Sequence, residues 1–243
     1  MRISIASFLA LSVCALGSRP AAADTAQFVL LTDPSGLRVQ ADFQLVDATH
    51  LSVAIRNVSI GVPAGFTNED QILTSLSWDF GVLGFDPSDP AITSATVTVG
   101  ATSQTLNFSG GDLGPGADVG AEFGYANNGI GGVLPNVIST LGGGVTKIAS
   151  GNLDGPLLLG GPQAGMVANP PVVPLAGVGA IQNEIVAVFT LNQELNNLQV
   201  LNDHQVRAEF GDGRAFITAP EPATLAGWAA LALIVRRSRN IRL

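Results

Sequence analysis

From Gln27 onward, apolar and polar residues alternate with a period of two. Leu37, Val39, Ala41, Phe43 and Leu45 are interleaved with Arg38, Gln40, Asp42 and Gln44. Leu51, Val53 and Ile55 are interleaved with Ser52, Ala54 and Arg56, and Asp47-Ala48-Thr49-His50 between the two runs reads as a short hairpin connection. Side chains of a strand point to opposite faces in turn, so this pattern buries one face and wets the other, as antiparallel sheets do. Further strands are expected at Leu76/Trp78/Phe80, at Ala95/Val97/Val99 and near Leu106/Phe108. The pattern returns at residues 185–191, at Val206/Ala208/Phe210 and at residues 215–218. Gly, Pro and Asp punctuate the joints, as in Asp86-Pro87-Ser88-Asp89-Pro90.

Residues 110–180 read differently, holding nineteen of the twenty-nine glycines together with Pro115, Pro135, Pro156, Pro162 and Pro170-Pro171. Apolar residues persist there, notably Ile138, Leu141 and Leu157-Leu158-Leu159, which a disordered linker would rarely keep. The expectation is long loops and short strands laid across a sandwich, a candidate lid or binding surface. The flanking arms, 27–108 and 183–218, are expected to pair in one antiparallel β-sandwich with long Gly-rich loops. Its interior should hold Leu37, Val39, Phe43, Val53, Ile55, Leu76, Trp78, Phe80, Val97, Val188 and Phe210. With 12% charged and 47% hydrophobic residues in 243, the chain suits one domain with a real core.

Charge is unevenly distributed. Arg2 and Arg19 lie near the front, and Arg236, Arg237, Arg239 and Arg242 crowd the last eight residues. Between residues 24 and 219, five basic residues stand against eighteen acidic ones, a net charge of −13. Phosphate backbones need Lys and Arg, so nucleic acid is not an expected partner.

Both ends carry segments distinct from the alternating body. Met1-Arg2, an apolar stretch from residue 3 to 16 and the small residues Ala21-Ala22-Ala23 make a signal peptide, residues 1–23, with signal peptidase cutting after Ala23 in an A-x-A site formed by Ala21 and Ala23. The only cysteine, Cys14, falls inside that leader, so residues 24–243 hold no disulfide and no thiol nucleophile. Leu11-Ser12-Val13-Cys14 is a poor lipidation site because Val13 is bulky. At the other end, Pro220-Glu221-Pro222 precedes an apolar run over 223–235, and Arg236, Arg237 and Arg239 follow. The prolines hold an extended peptide before a helix. The arginines keep the tail on the cytoplasmic side, leaving residues 24–218 outside. The run is thirteen residues, short of the ~20 of a standard span, a gap that snorkelling arginines and local thinning can close.

Residues 219–243 resemble the PEP-CTERM sorting signal of bacterial surface proteins. That resemblance implies recognition of Pro220-Glu221-Pro222 by exosortase, a membrane transpeptidase-like enzyme. It also implies an inner-membrane intermediate anchored through the helix, and delivery to the cell surface or extracellular matrix. The body resembles, more loosely, exosortase-dependent surface proteins of sandwich type, with Val206-Arg207-Ala208-Glu209-Phe210-Gly211 as the closing strand.

Catalytic signatures are sparse. His50 and His204 are the only imidazoles, and neither has a metal-ligand partner at short spacing. There is no G-x-S-x-G, Walker A, H-E-x-x-H or G-x-G-x-x-G, so no cofactor is expected. Among the acids, Asp79 and Glu122 are the best candidates for a glycosidase pair, although alternation turns Asp79 toward water. Asp86 with Asp89, or Asp112 with Asp118, could hold calcium from loops, without the spacing of a D-x-D-x-D-G loop. The pattern as a whole points to a non-enzymatic surface or matrix protein associated with exopolysaccharide. A carbohydrate-binding module and an acid-based glycoside hydrolase are the alternatives.

Overall fold

The computed structural model describes residues 24–31, 35–80, 89–127, 134–151, 153, 164–202 and 206–218. Strands dominate. They are β1 (Thr25–Leu31), β2 (Arg38–Asp47), β3 (His50–Asn57), β4 (Leu73–Trp78), β5 (Ile92–Val99), β6 (Gln104–Leu106) and β7 (Gly124–Ala126). They continue with β8 (Asn136–Ser139), β9 (Thr146–Lys147), β10 (Met166–Val167), β11 (Ala180–Gln182), β12 (Glu184–Leu191), β13 (Val206–Phe210) and β14 (Ala215–Thr218). Helix among the described residues is limited to a 3-10 turn at Gly120–Glu122 and a single turn, α1 (Gln199–Asn202).

One sheet runs β1-β2-β3-β12-β5 and is antiparallel throughout. Its first three strands are the alternating runs joined by the Asp47–His50 hairpin. The C-terminal arm then inserts β12 between β3 and β5, matching Ala187 with Val53 on one side and Val97 on the other. The second sheet is organised around β4. Along one edge lies β13, itself paired with β14. Along the other lie β8, leading to β7 and β9, and β10, leading to β11 and β6. The two-residue ladder β10–β11 is parallel, an exception to the antiparallel pairing expected.

The two sheets face one core, giving a sandwich-like all-β fold. At its centre Phe28, Phe43, Trp78 and Phe189 form a chain of ring contacts with centroids 5.3–5.6 Å apart, and Phe80 joins Trp78 at 6.2 Å. Edge-on and tilted rings at these distances are the favoured aromatic geometry. Of the residues expected inside, all but Val188 are buried. Val188 shares the outer face with Val186, while Ile185, Ala187 and Phe189 turn inward. Between Glu184 and Thr190 the outer face of β12 carries only Val186 and Val188, so the middle of the strand is apolar on both faces and the polar phase shows only at its ends.

Two further points concern what covers the sheets. The described residues of 110–180 include the expected short strands, β7, β8, β9 and β10, and they send Val119, Phe123, Ile138 and Met166 into the core. The strand β4 has no wet face, for all six of its residues are buried. Its outward serines pair with neighbours: Ser75 Oγ lies 2.8 Å from Ser139 Oγ, and Ser77 Oγ donates to the Arg207 carbonyl at 3.4 Å. Thr74 occupies an irregularity opposite the Glu209/Phe210 step and donates to the Gly211 carbonyl at 2.8 Å. Polar here does not mean solvated.

Candidate functional site

The residues expected to serve processing, Ala21, Ala23, Pro220, Glu221, Pro222, Arg236, Arg237 and Arg239, lie outside the described residues, as do the expected leader and the helix expected over 223–235. The described strands begin at Thr25 and end at Thr218. Asp24 is tied down twice, its carbonyl accepting the Leu45 amide at 3.0 Å and its carboxylate accepting the Leu198 amide. At the far end, β14 closes at Thr218. Among the described residues, no helix is long and apolar enough to cross a membrane.

The acids singled out for chemistry are placed apart. Asp79 is not turned to water but is 1% exposed, on the side of its segment opposite the Trp78 and Phe80 rings. Glu122 is equally buried and accepts the Leu153 amide, pinning the loop after β9. The register Ser75↔Ser139↔Gly124 sends Asp79 and Glu122 to opposite ends of the sheet. At ~3.3 Å per residue that separates them by about 20 Å along the strands, against the ~5–10 Å of a hydrolytic carboxyl pair. Asp112 accepts the Phe108 amide at 3.3 Å, and Asp118 accepts the Gly120 amide at 2.8 Å, each shaping its own turn. Among the described residues, no group of three His, Cys, Asp or Glu could hold a metal ion. Asp86 and His204 lie outside those residues, and Asp89 sits at their margin.

His50 opens β3 instead of sitting in the turn, with Nδ1 2.8 Å from Asp47 Oδ2 at the solvent. The Thr49 amide, foremost, and the His50 ring lower the Asp47 carboxyl to about 2. The arrangement is a hairpin staple: Asp47 also accepts the Thr49 amide at 2.8 Å, an Asx turn closing β2 onto β3.

Two polar constellations emerge that sequence reasoning missed. On the outer face of the five-stranded sheet, Arg56 on β3 bridges Asp42 on β2 and Glu184 on β12. Gln27 on β1 and Gln40 on β2 donate to Asp42 at 2.6 and 2.9 Å, so the network spans four strands. Glu184 is nearly buried beside Gly100, where a β-carbon would collide with its side chain. The signal available in the sequence was a charge at the same phase in each run: Asp42, Arg56 and Glu184 all fall at outward positions. On the second sheet, Glu209 lies beside Ser75 on the register of β13 and β4. Burial, the largest influence, holds the Glu209 carboxyl above its ordinary value of 4.5, and Asp212 adds to this. The Ser75 hydroxyl, the Gly213 amide and Arg207 pull the other way.

The two aromatic side chains in the glycine-rich region that could stack on a sugar are engaged in the fold. Phe123 is 1% exposed, and the half-buried Tyr125 donates its hydroxyl to the Thr93 carbonyl at 2.6 Å. No family model, curated protein or solved structure matches the chain.

Proposed function

We propose that the chain is an exported bacterial cell-surface or extracellular-matrix protein, non-enzymatic, trimmed at both ends and associated with exopolysaccharide. The observation that carries this reading is the order of segments after the last strand: Thr218, then Pro220-Glu221-Pro222, then the apolar run 223–235, then Arg236, Arg237 and Arg239. Signal peptidase removes residues 1–23 after Ala23. The tail helix then holds the chain in the inner membrane with its arginines inside. Exosortase reads the Pro-Glu-Pro peptide, which prolines keep extended at the outer membrane boundary. The described strands run from Thr25 to Thr218, between the two proposed signals. The body's acidity suits a soluble exterior domain, and Arg56 ties Asp42 and Glu184 together across β2, β3 and β12.

The test is fractionation and intact mass in two hosts, one with exosortase and one without. The wild-type chain should leave the inner membrane at reduced mass only in the first. Replacing Pro220-Glu221-Pro222 by three alanines should leave it uncleaved there, because the helix can then run back through the motif. The same compartment and mass in both hosts would make the tail a plain anchor and end this reading.

A further inference from the structure

β1 is an open edge. The Leu45 amide donates to the Asp24 carbonyl, so even-numbered residues of this strand bond to β2. Antiparallel alternation therefore aims the N–H and C=O groups of Thr25, Gln27, Val29 and Leu31 away from the sheet. Among the described residues none of these groups has a partner. The opposite edge is treated quite differently. β5 is bonded by the 116–119 segment through Val97 and Val99, by both polar atoms of the Asn127 side chain at Ile92, and by the Tyr125 hydroxyl at Thr93. β14, which pairs only with β13, is four residues long.

Nothing on β1 repels a strand. Thr-Ala-Gln-Phe-Val-Leu-Leu has no charge and no proline, the usual guards of an exposed edge. Of the four large apolar side chains exposed among the described residues, two, Val29 (44%) and Leu31 (55%), lie on its outer face. We propose that this edge pairs with β1 of a second copy, antiparallel about a twofold axis through Phe28, to make a continuous ten-stranded sheet. In that register Thr25 meets Leu31 of the second copy and Gln27 meets its Val29. Every open N–H and C=O on both strands is then used, because all four outward residues fall at hydrogen-bonded positions. The strand is self-complementary, as an isologous interface requires. Each body carries a net charge of −13, so copies repel least along an uncharged strand, and the nearby Asp42 is ion-paired to Arg56, which it shares with Glu184.

The experiment uses the whole chain purified in detergent, with Cys14→Ser to remove the native thiol. Sedimentation should find a dimer at micromolar concentration. Val29→Pro removes an outward N–H that the single chain does not use, and Val29→Lys sets two cations diagonally across the axis. Each should weaken dimerisation at least about tenfold with an unchanged strand spectrum. Should Val29→Pro disturb the fold, Val29→Lys decides. Mixed Gln27→Cys and Val29→Cys chains should cross-link on mild oxidation, and Thr25→Cys with Val29→Cys should not. A monomeric wild type, a dimer indifferent to Val29→Lys, or equal cross-linking by both mixtures would overturn the proposal.

Discussion

Trp78 shows how one residue can be both well placed and imperfectly satisfied. Its ring touches Phe43, Phe80 and Phe189, while its buried indole N–H has no hydrogen-bond partner among the described residues. Trp78→Ala should therefore cost about 3–5 kcal/mol from lost packing and the cavity left behind. Trp78→Phe should cost under about 2 kcal/mol, since it removes a donor whose burial is itself unfavourable. Urea unfolding of both variants checks this, and equal losses would mean the indole N–H is in fact paired. Glu209 makes a second residue-scale case. A carboxyl raised in the fold binds its proton more tightly folded than unfolded. Its penalty is absent below the ordinary 4.5 and complete once the pH exceeds the raised value. Glu209→Gln should thus gain on the wild type between about pH 4 and pH 7, by less than about 1 kcal/mol because the group is half exposed. A variant less stable than wild type at neutral pH would show that the Ser75 and Gly213 bonds outweigh burial. Position 79 carries the lesson for reading sequence: alternation gave the correct side for Asp79 and the wrong medium, because periodicity sorts faces by polarity and is blind to what covers them.

At the scale of elements, β2, β3, β5 and β13 were readable because each has one apolar phase and one polar phase. β12 was readable as a strand but not in its facing. The element that decides this is its neighbour: pairing of Ala187 with Val53 and Val97 turns Phe189 to the core and Val188 outward. Val188→Thr should accordingly change stability by less than about 0.5 kcal/mol, and Phe189→Ala should cost about 3–5 kcal/mol. Reversed magnitudes in thermal or urea unfolding would mean that β12 is one residue out of register. The short strands of the glycine-rich region were hardest to see. Two to four residues are too few to display a period, and Val137, Ile138 and Met166 are apolar regardless of phase. The Arg56 bridge was hidden for another reason. It joins β2, β3 and β12, and only the insertion of β12 beside β3 brings Glu184 to it.

On the scale of the whole molecule, the all-β character and the pairing of the two arms followed from pattern. The sheet order did not, since β12 and β13 enter as interior strands of the two sheets from the far end of the chain. That insertion bears on timing. A chain threaded outward from its N-terminus presents β1, β2 and β3 first, and these can form a meander at once. β3 then waits some 130 residues for its second neighbour, and β4 waits about as long for β13. The five-stranded sheet is whole only once Leu191 has emerged, and the second only with β14, whose last residue, Thr218, lies two positions before Pro220. Closure of such distant pairings is intrinsically slow. Under the export proposed above, completion of the body would coincide with arrival of the tail at the membrane. The last strand to be delivered would then act as the latch, and a chain lacking it remains an open half-sheet in need of protection.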